Sequence, residues 1–349
     1  FLAVSAVVSD CTDWQDIVDF GHDKLEWLQK YFPYNQGIPS HDTMNRVFSL
    51  IDKGAFESMF RQWASQHFTP SAGLLISFDG KSLRRSATKL EQQMPRAEGG
   101  KGAEHLLGAW CNEQSVCFDV RAVGEKENEI VAIKSMLEYL EIEGCVIRAD
   151  AIACQKDIAE KIIQGRADYV FGLKLNQKNL FEAVETLFSE DVPAMDKYDT
   201  KDEAGHGRVE RRVCRAAGIE LLADKTLAER WPGLRSIIEL ERERVIIATG
   251  VCSSEKRYYI SSLAPSAENN AKYVREHWGI ENRLHYILDV YFGEDASRKR
   301  SGNAAANFGT LLRMALNLVY AAKGKDSVKR TLKKASRTDK FRETILGLS

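Results

Sequence analysis

The sequence predicts an α/β protein with an N-terminal helical segment, a layer of strands alternating with helices, and a β-rich block inserted before the last helices. Three observations predict it. LLISFD (74–79) and CVIRAD (145–150) are short apolar runs of strand length, and each ends in an acid. Amphipathic helical stretches such as NEIVAIKSMLEYLE and CQKDIAEKIIQG lie among the strands, as a substantially parallel sheet requires. From about 190 to 262 the helical period weakens and alternation takes over.

In chain order, residues 1–70 read as helical. Trp14, Ile17, Val18 and Phe20 form one apolar cluster, and Leu25, Trp27, Leu28 and Tyr31 another. Ser40 is placed to cap a helix carrying Met44, Val47, Phe48 and Ile51. Such a segment suits a DNA-docking module or a small packing domain. Residues 71–322 form the core. SVCFDVRAV is a second strand, Gly165 stops the helix begun at CQKD, and DYVFGLK is one more strand. In GRVERRVCRA, Val209, Arg211 and Val213 alternate with Arg208, Glu210 and Arg212, and SIIEL, RVIIATGV and RYYISSL follow as strands. REHWGIENRLHYILDVYFGED (275–295) then scans as one amphipathic helix, with Val274, Trp278, Leu284 and Leu288 on one side. Glu281 falls on that same stripe, where an ionised carboxylate needs a partner. Residues 323–349 read as a basic C-terminal tail.

Bulk charge by itself predicts no nucleic-acid partner, because 49 Lys and Arg balance 50 Asp and Glu. The distribution is uneven: from Arg298 onward basic residues far outnumber acids, which favours a polyanion or a solvated tail. The seven cysteines are scattered without a CxxC pair, which suits reduced thiols in the cytoplasm. No apolar run reaches membrane-spanning length, and the opening FLAVSAVVSD has no basic leader and reads as helix, not as a signal peptide.

The chemistry follows from the acids. Ligands collect beyond the carboxyl ends of parallel strands, so neighbouring strands ending in Asp79 and Asp150 would point both carboxylates into one crevice. Two such groups repel unless a cation holds them, and oxygen donors select Mg²⁺ or Mn²⁺. Glu281 on a helix beside those strands would be a third ligand, which gives its place on the apolar stripe a cause.

GIPSHDTMNRVFS, FDGKSLR, DAIACQKDIAEKI, ADYVFGLKLNQ, HGRVERR, RYYISS and HWGIENRLHYILDVYFGED with its following GNAAAN carry a family likeness. The chain resembles DDE transposases of the insertion-sequence type, closest to the H-repeat-associated transposases. The resemblance implies a ribonuclease-H-like catalytic core with a β insertion, and Asp79, Asp150 and Glu281 as the three metal-binding acids. It implies two Mg²⁺ (or Mn²⁺) ions per site, double-stranded DNA as partner at transposon ends and target, and a homodimer on DNA. The implied reaction is phosphoryl transfer: water cuts the transposon end, then the freed 3′-hydroxyl attacks target DNA. Lys81, Lys174, Asn176, Arg208, Arg211, Arg212, His277 and His285 are the candidate DNA contacts. Where many relatives carry Tyr, Arg and Lys around the Glu, this chain has Val274, His277 and Leu288; where they read Lys-Gly-Asn-Gln, it has Leu175 after Lys174. Leu in place of Gly is expected to disturb a tight turn.

Two other readings stand beside this one. The chain could be a catalytically inactive DNA-binding remnant of a transposase. Alternatively, His277, Glu281 and His285, spaced four apart on one helix, could hold Zn²⁺ in a hydrolase, although no HExxH motif accompanies them.

Overall fold

The computed structural model describes residues 1–87, 102–124, 127–190, 193–200, 203–205, 207–276 and 278–348. Its strands are β1 (Leu75–Ser82), β2 (His105–Cys111), β3 (Val116–Val123), β4 (Val146–Ala149), β5 (Asp168–Leu173), β6 (Asp196–Asp199), β7 (Glu203–Gly205), β8 (Arg208–Gly218), β9 (Ser236–Ile246) and β10 (Cys252–Ser261). Contacts divide the chain into two units. One comprises Phe1–Thr69, Gly80–Asn128 and Gly279–Ser349; the other comprises Pro70–Asp79 and Glu129–Trp278.

In the first unit the N-terminal stretch is helical, and its caps follow from sequence. Ser40 Oγ accepts the Thr43 N–H before helix His41–Leu50, and Asp52 accepts the Ala55 N–H before helix Lys53–His67. β2 and β3 pair antiparallel, with a bulge between Ala109 and Trp110. Helix Ala304–Ala322 is buried along most of its length. The GNAAAN motif opens it and has a structural cause. Asn303 and Asn307 donate their amides to the carbonyls of Phe48 and Ile51, satisfying acceptors that helix His41–Leu50 leaves open at its C-terminal end. Gly302 lies at φ +47°, and a Cβ there would stand 2.6 Å from the Ser49 carbonyl oxygen.

The C-terminal residues form two ordered helices where the sequence reads as a basic tail. Val328–Arg337 and Asp339–Leu346 bury Val328, Leu332, Ala335 and Ile345. Arg342 is the tie. Its fully buried guanidinium bonds Ser9 Oγ, Asp339 and the Ala335 carbonyl, and lies over Phe20 and Trp27. Glu343 accepts from Trp27 Nε1 and Tyr31 Oη. Ser9, Trp27 and Tyr31 are over 300 positions away, so a local reading cannot find them.

The second unit holds a mixed sheet. β1, β4 and β5 run parallel, then β10, β9, β8 and β6 continue antiparallel, with β7 also on β8. Residues 75–78 of β1 and the whole of β4 are buried, as parallel strands covered on both faces must be. Alternation holds along β8, but the side that goes inward carries Glu210, Cys214 and Ala216, not Val209 and Val213. The cause is helix Ala267–Glu276, whose Ala267, Ala271 and Val274 share a core with Cys214 and Ala216. All seven cysteines are free thiols. Among the described residues no helix is long and apolar enough to cross a membrane.

Candidate functional site

The register of β1 on β4 builds the site. Leu75 pairs with Val146 and Phe78 with Ala149, so the same offset sets Asp79 level with Asp150, just past the point where the parallel pairing of β1 with β4 stops. Both line a cavity of about 780 Å³ in the second unit, together with Glu129, Lys174, Leu175 and Asn176. Asp150 is exposed, in extended conformation, and its side chain does not cap the 3₁₀ turn Ala151–Ala153 that follows. A plain turn-capping role therefore does not account for it. The turn lies close against β5, where a Cβ on Gly172 would come within 3.2 Å of the Ala151 backbone nitrogen.

The loop after β5 completes the cavity. Asn176 Nδ2 donates to the Ala151 carbonyl at 2.7 Å, and Gln177 Nε2 to the Cys154 carbonyl at 2.9 Å. These bonds lock the loop after β5 to the segment after Asp150, so Asn176 orients the site besides facing it. Leu175 sits in a 3₁₀ turn, 66 % exposed, and is not among the residues with positive φ. The turn does not require glycine, which corrects the expectation that Leu175 disturbs it.

Two further residues belong to this neighbourhood. Glu129, first residue of helix Glu129–Leu137, adds a third carboxylate to the lining. Arg148 lies on β4 with Asp150 two positions on, hence on the same face of the strand. It is buried, stacks at 5.0 Å on the Tyr259 ring and donates to the Val170 carbonyl at 3.4 Å. The Tyr259 hydroxyl is held above its ordinary pKa chiefly by burial, against the pull of Arg148 and Arg257, with a smaller upward push from Asp150. A lone Arg inside the apolar run CVIRAD is the signal that points to it.

Glu281 and His285 belong to the first unit. Glu281–His285 is a π-helical turn, closed by the Tyr286 N–H on the Glu281 carbonyl. The wider turn changes the phase that a continuous α-helix would keep. The expected stripe divides: Leu284 and Leu288 are fully buried, Val274 enters the core of the second unit, Glu281 is exposed, and Trp278 is half exposed. His285 is buried, with Nδ1 3.6 Å from a Glu281 carboxylate oxygen. His277 lies outside the described residues.

The candidate DNA contacts are placed unevenly. Lys174 is exposed at the cavity. Lys81 is nearly buried among the carboxylates of Asp289, Glu294 and Asp295, so its charge is neutralised within the first unit. Arg208 pairs with Glu210, Arg211 with Asp199, and Arg212 with both Glu203 and Glu210. A DNA phosphate at these arginines would have to displace carboxylates.

A family model described as "Transposase DDE domain" matches residues 71–318, and one described as "DDE_Tnp_1-associated" matches residues 1–64. The "Putative transposase YncI" of Escherichia coli O157:H7 is 38% identical over 359 residues, covering 99% of this chain and 88% of that protein. The "H repeat-associated putative transposase YhhI" of Escherichia coli strain K12 is 36% identical over 353 residues, covering 99% of this chain and 90% of that protein.

Proposed function

The chain belongs to the DDE-domain transposase family, and from that premise we propose that it is a DNA transposase that cuts transposon ends and joins the freed 3′-hydroxyl to target DNA by metal-dependent phosphoryl transfer. The observation that carries this is the level placement of Asp79 and Asp150 where the parallel pairing of β1 and β4 ends, both lining one cavity. The donor set fits a hard divalent cation: the cavity lining offers carboxylates and two amides, Gln155 and Asn176, and among the described residues holds no His or Cys. Asp79 and Asp150 would hold Mg²⁺ or Mn²⁺, with Glu281 as the third acid, in a two-ion site. When bound, such ions lower the pKa of an attacking water or hydroxyl and neutralise the leaving oxygen.

The chain's own residues supply the rest. β1 and β4 fix the two aspartates at the spacing of neighbouring strands, about 4.8 Å. Asn176 and Gln177 hold the loop after β5 against the segment after Asp150, so the two walls of the cavity keep a common geometry. Lys174 stands exposed at the wall, where its ammonium would meet a DNA phosphate. Arg148 lies on β4 two residues before Asp150, held in place by the Tyr259 ring it stacks on and by the Val170 carbonyl. DNA is the proposed substrate, with a homodimer acting on it.

The test is relaxation of supercoiled plasmid in the presence of Mg²⁺, wild type against Asp150→Ala. Wild type should nick the plasmid and the variant should not. Equal nicking by both would remove Asp150 from the chemistry. No nicking by wild type, with DNA binding retained, would favour the inactive DNA-binding remnant.

A further inference from the structure

We infer that helix Val328–Arg337 carries a second DNA site, a row of phosphate contacts made by Lys329, Lys333 and Arg337. This inference rests on the reading of the chain as a DNA-acting protein, and adds a surface in the unit that does not hold the Asp79–Asp150 cavity.

The helix has five basic residues and no acid. Its inward side is settled: Val328, Thr331, Leu332 and Ala335 are buried. Lys329, Arg330, Lys333 and Arg337 are exposed on the other side. Asp326 takes up two of the remaining charges, Arg330 at 3.1 Å and Lys334 more closely. Lys329, Lys333 and Arg337 have no ion-pair partner within 4 Å among the described residues. Lys333 and Lys329 act on Asp10, whose carboxyl burial holds above the ordinary range while the two lysines pull the other way.

Spacing decides the class of partner. Residues four apart on a helix share a face, and eight residues advance about 12 Å along the axis. A DNA strand advances about 3.4 Å of axis per phosphate, so the row spans roughly three to four phosphates. The mount is rigid, since buried Arg342 ties the following helix to Ser9, Phe20 and Trp27. Charges held on a fixed helix lose less freedom on binding than charges on a flexible tail. The arginines of β8 are already matched by carboxylates, so they do not compete as the main basic surface.

The experiment measures affinity for a fluorescent blunt DNA duplex against salt concentration. It uses the full chain, the triple variant Lys329→Gln, Lys333→Gln, Arg337→Gln, and the charge-keeping variant Lys329→Arg, Lys333→Arg, Arg337→Lys. Three lost phosphate contacts should make the log–log salt slope of the Gln variant shallower by about 2.7. The charge-keeping variant should keep the wild-type slope. An unchanged slope in a folded Gln variant overturns the inference, whereas the nicking test with Asp150→Ala stands apart from that result. A third arm uses vesicles rich in phosphatidylserine. Loss of vesicle binding by the Gln variant with an unchanged DNA slope would assign the surface to anionic lipid and overturn the DNA site. If the wild type binds no DNA, both this inference and the transposase reading fail.

Discussion

Glu294 and the pair Asp79–Asp150 show two opposite uses of a carboxylate in one chain. Glu294 is completely enclosed in the first unit, 2.5 Å from Arg313 and 3.3 Å from Lys81. Burial pushes its pKa up, but Arg313 and Lys81 more than offset this and hold it below the ordinary range. That acid is part of the fold: two cations close around it, and no substrate can reach it. Asp79 and Asp150 line a cavity of about 780 Å³ in the second unit. The difference teaches that an acid's surroundings, not its position at the end of a buried stretch, separate structure from chemistry.

The comparison breaks most readily at the open acids. Asp79→Asn should lower the Mg²⁺-dependent nicking rate by about 10³-fold or more. Its thermal melting should stay near wild type, since Asn keeps the shape of the side chain in the cavity lining. A large fall in melting temperature with little loss of rate would make Asp79 structural.

The enclosed acid should behave in the reverse way. Glu294→Ala leaves Arg313 and Lys81 buried beside an empty space, a change that typically costs about 3–5 kcal/mol. Urea unfolding should show that loss. Retained stability would mean that Asp289 and Asp295 suffice to balance Lys81.

A buried cation sharpens the contrast further. Lys299 lies over the Phe308 ring at 3.7 Å and the Trp14 ring at 4.7 Å, and burial lowers its pKa to about 8 against the opposing pull of Asp13 and Asp16. The unfolded chain then binds more protons than the native one between about pH 8 and 10.5. Stability should therefore rise with pH across that window, by at most about 3 kcal/mol. Urea midpoints measured from pH 7.5 to 10 should rise for wild type, and less so for Lys299→Met. A parallel course for the two proteins would take Lys299 out of the account.

The smallest effect is expected at the cavity wall. Leu175→Gly should lower stability by less than about 1 kcal/mol through backbone freedom alone and leave the nicking rate unchanged. A marked gain in rate would show that the turn after β5 does need glycine.

The sequence makes Asp79 and Asp150 legible because a short apolar strand and its terminal acid are both local signals. Their common level on β1 and β4 is not local; it follows from a register only the fold displays. A helix of 3.6 residues per turn puts Trp278 and Glu281 on a buried stripe, and the π turn at Glu281–His285 breaks that period. Lys81 reads as a phosphate contact because its partners Asp289, Glu294 and Asp295 lie some 200 positions on. Glu129 is one of many helix-start acids until the cavity singles it out.

We propose that Asp79, Asp150 and Glu281 together hold the catalytic metal. Mn²⁺ binding followed by electron paramagnetic resonance tests it on wild type, Asp79→Ala, Asp150→Ala and Glu281→Ala. The account predicts that each substitution weakens or abolishes specific Mn²⁺ binding while the protein stays folded. Wild-type Mn²⁺ affinity and stoichiometry in any one of the three variants would contradict it.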